Sequence, residues 1–368
     1  MSCHDVAGVC RPAVLTLSEY IAGMTVEEVQ RELGLSDVVK LSSNENPLGP
    51  SPRVLQTIAD ALPKLGTYPE KSFFDLKNAL AEANGVTPQS IVVGHGTEAL
   101  IQLIPQLYVC PGHEVVVTDV TFGRYAEASR LMDARVVCVP LRDLRYDLEA
   151  MAAAVTARTR VVWLCNPNNP TGTIVRRDEV TAFLAAVPPS VAVVFDQAYF
   201  EFADDADYPD GLDFLKAGHE NVIVLRTFSK AYGLAGLRLG YAVAAPAVRR
   251  LLDTIKEPFN LNRLSVVAGP AALADRGWME HCVAENRRGR ELLAAELARL
   301  GFDPVPSQAN FGFVDVRQDA DALFERLLRR GVIVRSASGW GLETFIRVTV
   351  GTAEQNRRFL EALAAEAA

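Results

Sequence analysis

Val222-Ile-Val-Leu225 and Leu239-Gly-Tyr-Ala-Val-Ala-Ala245 are two short apolar runs, and between them lies Arg226-Thr-Phe-Ser-Lys-Ala-Tyr-Gly-Leu-Ala-Gly-Leu-Arg238. Runs of this length, with β-branched and small residues, suit strands covered on both faces. The Ser/Gly-rich segment between them continues neither strand. Lys230 is therefore expected at a sheet edge, where α/β enzymes build their sites. A lysine in a loop means little by itself, so its weight depends on what else reaches that edge.

Outward from this segment the pattern is strand, turn, helix, repeated. Ile91-Val-Val93 leads into Gly94-His-Gly-Thr-Glu98 and an apolar helix over 99–108. Strands are expected at 114–118, 135–139, 160–165, 191–195, 222–225 and 239–244, most of them separated by helical patterns. Such alternation argues an α/β fold with a mostly parallel central sheet flanked by helices. Upstream, Thr25 is placed to cap a helix over 26–33 that Gly34 ends. Residues 41–52, with Pro47, Pro50, Pro52 and Gly49, form a loop of fixed path, and helical spacing returns over 52–62 and 73–83. Beyond Pro246 a helical stretch should break or kink at Pro258, and a long helix follows over 277–300. Strands at 311–316 and 345–350 then flank a helix at 320–330. The expected organisation is an N-terminal arm and part of the small domain over 1–46, a large domain over 47–255 and a small C-terminal domain over 256–368.

Composition narrows the class. The 368 residues are 49% hydrophobic and 22% charged, ordinary for a globular enzyme, and the net charge of −8 gives no general attraction to nucleic acid or anionic membrane. No apolar run approaches the roughly 20 residues that span a bilayer, and Met1 to Arg11 lacks the pattern of a signal peptide. A cytoplasmic protein is expected. The six cysteines never form C-x-x-C, so no disulfide is implied. Cys138 and Cys165 fall in apolar runs and are expected to be buried thiols. Terminal disorder accounts for Cys3, His4 and Cys10 better than a metal cluster does, and no metal is expected.

Asp196 directly follows Val191-Ala-Val-Val-Phe195, which puts a carboxylate at the end of a buried strand. An unpaired charge there costs several kcal/mol, so it needs a partner, whether an arginine, a turn or a ligand. Tyr199 can present its hydroxyl to the same space. Val161-Val-Trp-Leu-Cys165 ends in Asn166-Pro-Asn-Asn-Pro-Thr-Gly172, a rigid polar turn. Gly94-His-Gly-Thr-Glu98 opens a helix and offers free amides to an anion. Each feature alone has an ordinary structural explanation. Together, and all expected at the carboxyl ends of parallel strands, Arg238 included, they supply what pyridoxal 5'-phosphate requires: a lysine, a carboxylate for the ring nitrogen, donors for the phenolic oxygen, and cations and amides for the phosphate.

Asn166-Pro-Asn-Asn-Pro-Thr-Gly172, Asp196-Gln-Ala-Tyr199 and Ser229-Lys-Ala-Tyr-Gly-Leu-Ala-Gly-Leu-Arg238 resemble the signatures of fold-type I pyridoxal-phosphate-dependent aminotransferases. More narrowly, Ser43-Asn-Glu-Asn-Pro-Leu-Gly-Pro50, Tyr68-Pro-Glu70 and Arg347-Val-Thr-Val-Gly351 resemble the histidinol-phosphate aminotransferase group. The resemblance implies that Lys230 links covalently to the cofactor and then moves the proton. It implies that Asp196 faces the pyridine nitrogen and that Asn169 and Tyr199 bond the phenolic oxygen. Ser229, Arg238 and the turn Gly96, Thr97 and Glu98 would hold the phosphate, with Tyr68 reaching it from a second subunit of a homodimer. Phe122 takes the ring-stacking position, where the family usually has Tyr.

For the substrates, a small-molecule amino donor and 2-oxoglutarate or glutamate, the resemblance implies Arg347, Arg335, Tyr20 and Asn46. Arginine suits bidentate recognition of carboxylate or phosphate. The reaction so implied is histidinol-phosphate:2-oxoglutarate transamination in histidine biosynthesis. Trp340, between the two arginines, favours the runner-up reading, an aromatic amino-acid aminotransferase, and a third, a lyase resembling threonine-phosphate decarboxylase, would share the cofactor contacts. The glycine turn departs from the family in carrying His95 where Asn is usual.

Overall fold

The computed structural model describes residues 8–17, 19 and 23–367. Its centre is a seven-stranded sheet in the order β2-β8-β7-β6-β5-β3-β4. These strands are β2 (Ile91–His95), β3 (Glu114–Thr118), β4 (Arg135–Val139), β5 (Thr159–Cys165), β6 (Ala192–Asp196), β7 (Val222–Thr227) and β8 (Leu239–Ala244). The β3–β4, β3–β5, β5–β6 and β6–β7 pairs are parallel. Every residue of β3, β6, β7 and β8 is buried, as their continuous apolar runs require when helices cover both faces.

Two expectations need correction. Strand β8 runs antiparallel to both β7 and β2, so Arg238 precedes an antiparallel strand instead of following a parallel one. A parallel return needs a crossover of a dozen or more residues, usually a helix. The segment 228–238 holds only a short 3₁₀ turn, Ala235–Leu237, so the chain turns back beside β7. The reversal still delivers Arg238 to the edge that carries Asp196. The second correction is Cys138, which is exposed because β4 is an edge strand incompletely covered on both faces, with exposed Arg135 and Cys138 on opposite sides. Cys165 is buried.

The smaller sheet runs β12-β13-β10-β9, from β9 (Asp303–Val305), β10 (Phe311–Asp315), β12 (Arg335–Ser336) and β13 (Phe345–Thr349). Its pairings are all antiparallel. The amino-terminal β1 (Val39–Lys40) pairs in parallel with β11 (Val332–Ile333), and Val39 and Leu41 join the core of this smaller unit. Pro258 lies between the helices Pro246–Ile255 and Arg263–Ala274. The second of these packs into the large core through Ala268 and Ala272, beyond the 255/256 boundary read from sequence. The long helix Arg276–Arg299 then supplies Leu293 and Leu297 to the smaller core. Thr25 caps Val26–Leu33 with a reciprocal box to Glu28, and Gly34 ends it in the left-handed conformation.

Candidate active site

Register assembles the site. Cys165, Asp196 and Leu225 are aligned across β5, β6 and β7, so β5 and β6 end at one level and β7 ends two residues beyond it. The Asn166 amide donates to the Asp196 carbonyl at 3.0 Å, and the Gln197 amide donates to that of Leu225 at 2.9 Å. Lys230, Asp196, Tyr199 and Asn169 line one cavity of about 550 Å³, with Ser229, Arg238, Thr97 and Glu98 in the same wall. Phe122, Arg335 and Arg347 also line it. Sequence separations of more than 200 residues close into one chamber.

Asp196 is buried, and both of its hydrogen-bond donors are neutral. Tyr125 Oη donates to its Oδ2 at 2.7 Å, and the Ala198 amide donates to its Oδ1 at 3.1 Å. Burial pushes its carboxyl up to about 6, against the lowering by Tyr125. Burial, then the positive field of Arg347, brings Lys230 down to about 8. Its Nζ donates to the Ser43 carbonyl at 3.2 Å. Burial likewise raises the Tyr199 hydroxyl, which accepts from Asn44 Nδ2 at 3.0 Å. Among the described residues Asp196 forms no ion pair, so a protonated ring nitrogen would relieve a cost the fold already bears.

The phosphate end shows a cradle. The Gly96 amide donates to the Arg238 carbonyl at 2.7 Å, which joins the glycine turn to the segment after Lys230. Gly96 has φ +70°, and a Cβ there would lie 2.6 Å from the Arg238 guanidinium. Arg238 itself is left-handed at φ 57°, a costly conformation for a non-glycine residue that turns its side chain onto the start of the Gly96–Tyr108 helix. A guanidinium over a helix N-terminus, with Ser229 in the same wall, suits a phosphate dianion. The residues present therefore fit pyridoxal phosphate at both of its ends.

The arginines lie opposite. Arg335 and Arg347 are register partners on β12 and β13, so two cations face one another across adjacent strands. Arg347 donates to Asn169 Oδ1 and, at 2.6 Å, to the Ser42 carbonyl. Like charges placed so are destabilising by themselves and favour a shared anion.

Of the other expected side chains, Asn46 does not line this chamber, and Tyr68, expected in a second subunit's site, does not line its own. Tyr20 lies outside the described residues. Asn46 spends its side chain on the backbone, donating to the Ala231 carbonyl at 2.9 Å and accepting from the Leu48 amide at 3.0 Å. Tyr68 is 77% exposed, stacks on Phe259 with ring centroids 4.6 Å apart, and lines an open groove of about 1270 Å³ that meets the chamber at Glu98. Conversely, Asn44 and Tyr125 belong to the site and sequence reading passed over both. Asn44 stood within the quoted Ser43–Pro50 motif, but only the fold brings it to Tyr199. Tyr125 stood three residues after Phe122, at the start of the helix Arg124–Leu131, and that nearness was the available signal.

Comparison with known proteins agrees with this geometry. The family model for aminotransferase class I and II matches residues 36–363. A histidinol-phosphate aminotransferase of Moorella thermoacetica is 48% identical over 354 residues, covering 96% of this chain and 92% of the relative. One of Carboxydothermus hydrogenoformans is 44% identical, covering 96% and 98%. The crystal structure of histidinol-phosphate aminotransferase from Sinorhizobium meliloti in complex with pyridoxal-5'-phosphate superposes with a TM-score of 0.89 at 32% identity, covering 97% and 96%.

Proposed function

Because this chain belongs to the class I and II aminotransferases, we propose that it transfers the amino group of histidinol phosphate to 2-oxoglutarate, as a cytoplasmic homodimer. The observation that carries the substrate reading is the register pairing of Arg335 with Arg347 in the wall of the Lys230 cavity. A phosphate monoester in one half-reaction and a carboxylate in the other can each occupy a two-guanidinium site.

When bound, pyridoxal phosphate supplies an electron sink that makes the proton on the amine-bearing carbon removable. Lys230 would hold the cofactor through Nζ, and the same amine, when free, would take and return that proton. Its lowered pKa suits the task, because a neutral amine is accessible near neutral pH. Asp196 would keep the ring nitrogen protonated, with Tyr125, which donates to it, holding it oriented. Tyr199 and Asn169 would bond the phenolic oxygen, and Phe122 would cover a ring face. Ser229, Arg238 and the amides of Thr97 and Glu98 would hold the phosphate. Arg347, already bonded to Asn169, connects substrate binding to the cofactor's oxygen side.

Tyr68, exposed on a rim with Leu65 and Phe259, is the residue a second copy of this chain would receive into its phosphate site. Among the described residues no helix is long and apolar enough to cross a membrane.

Adding histidinol phosphate to cofactor-loaded protein should bleach the cofactor absorbance, and 2-oxoglutarate should restore it. Efficient bleaching by phenylalanine but not by histidinol phosphate would overturn the substrate assignment. Carbon dioxide released from threonine phosphate would instead favour the decarboxylase, whose Porphyromonas gingivalis representative shares the fold with a TM-score of 0.79. Mixing Tyr68→Ala with Lys230→Ala protein tests the dimer. Hybrids carrying one intact site should regain activity that neither variant has alone.

A further inference from the structure

Trp340 lies between the two arginines in sequence and contacts both in space. The Arg335 and Arg347 guanidinium carbons are 5.9 and 5.8 Å from its ring centroid. Cations at this distance from an indole face are attracted by its quadrupole. The ring's other end crosses between domains, where Nε1 donates to the Thr121 carbonyl at 2.8 Å.

Both ends of that connection are stiff. The Trp340 amide donates to the Ala337 carbonyl, and the Ala337 amide donates to that of Phe345, each at 2.9 Å. Ser338 Oγ donates to Asp321 Oδ1 at 2.8 Å and ties the turn to the Ala320–Arg329 helix. On the other side, buried Thr121 bonds through Oγ1 to Asn168 Oδ1 and Tyr146 Oη, both at 2.9 Å. Phe122, which follows Thr121, is the ring-stacking candidate. Trp340 itself lines the cavity.

We propose that Trp340 is a specificity-determining positioning residue: it holds the arginine pair at a fixed distance from the Thr121–Phe122 wall and so selects substrates with an anionic tail. This rests on reading the cavity as the aminotransferase site, but it concerns how the anion is placed, whichever anionic donor is used. The indole face steadies two like-charged guanidiniums when no substrate separates them. The indole N–H prevents the smaller sheet from drifting away from the cofactor wall.

Two substitutions separate these contributions. Trp340→Phe keeps an aromatic face and removes the N–H. Trp340→Leu removes both. In holoenzyme, Trp340→Phe should raise KM for histidinol phosphate roughly three- to tenfold, the range of one hydrogen bond, with kcat nearly kept. Trp340→Leu should raise it further. Calorimetric titration of the holoenzyme with inorganic phosphate supplies a readout independent of turnover, and Kd should weaken in the same order. Unchanged phosphate binding in both variants overturns the proposal. So does a fall in kcat and in thermal stability without a change in KM or phosphate Kd, which would mark a purely structural residue. If wild-type protein ignores histidinol phosphate yet binds phosphate in a Trp340-dependent way, the substrate reading fails and the role of Trp340 stands.

Discussion

Replacing Tyr125 by Phe removes one oxygen from the least exposed part of the site. The ring keeps its stack on Trp163, with centroids 4.8 Å apart, and its edge contact with Phe122 at 5.6 Å. What disappears is the 2.7 Å hydrogen bond to Asp196 Oδ2, which leaves the Ala198 amide as the remaining donor. A hydrogen bond to a charged group is worth about 1.5–3 kcal/mol, or about one to two pKa units. In the cofactor-free protein the Asp196 carboxyl should therefore move from about 6 toward roughly 7–8. Only the ionised form pairs with a protonated ring nitrogen. At pH 7 the affinity for pyridoxal phosphate should then fall about two- to tenfold, and above pH 9 it should match wild type. Titrating cofactor-free protein with pyridoxal phosphate from about pH 5.5 to 10 measures this directly. The difference between the two proteins removes the cofactor's own titrations. Superimposed curves would refute the reasoning, and a uniform loss at every pH would show that packing, not the hydrogen bond, was lost.

Other substitutions probe the remaining groups. Gly96→Ala places a Cβ 2.6 Å from the Arg238 guanidinium at a backbone with φ +70°, so it should weaken cofactor binding at least tenfold, read by the same titration. Arg347→Lys keeps the charge and loses the fork that reaches both Asn169 and Ser42. KM for the anionic donor should rise about tenfold or more, with a smaller fall in kcat. The Lys230 ammonium is depressed in the fold to about 8 from 10.5, so the unfolded chain holds its proton to higher pH. Cofactor-free wild type should therefore gain stability relative to Lys230→Met as pH rises through that window. The gain is at most about 3 kcal/mol, and smaller to the extent that water screens Nζ. Denaturant titrations at pH 7.5 and 10.5 check the sign.

The expected α/β sheet was legible because strand burial writes itself locally. Val191-Ala-Val-Val-Phe195 and Val222-Ile-Val-Leu225 can be little else, and the Pro- and Gly-marked turns after them cannot extend a strand. Asp196 and Lys230 stood out for the same reason, as charges placed where apolar runs stop. The cis peptides before Pro167 and Pro170 and the burial of Asn166 and Asn168 sit in the turn that sequence had marked as rigid and polar.

What sequence alone determined is the inventory of the chemistry: a lysine, a strand-end carboxylate, a glycine turn and an arginine in a strand. Each is a local choice of residue type at the end of a local element. Tertiary structure decided which of them meet. The reversal of β8 sets Arg238 on the glycine turn, although parallel strands had been expected there. Side-chain direction turned Asn46 onto the Ala231 backbone and Asn44 onto Tyr199. Sheet register set Arg335 against Arg347, and the turn between β12 and β13 brought Trp340 against Thr121. Those outcomes depend on contacts between residues far apart in the chain, whose relative placement no local pattern encodes.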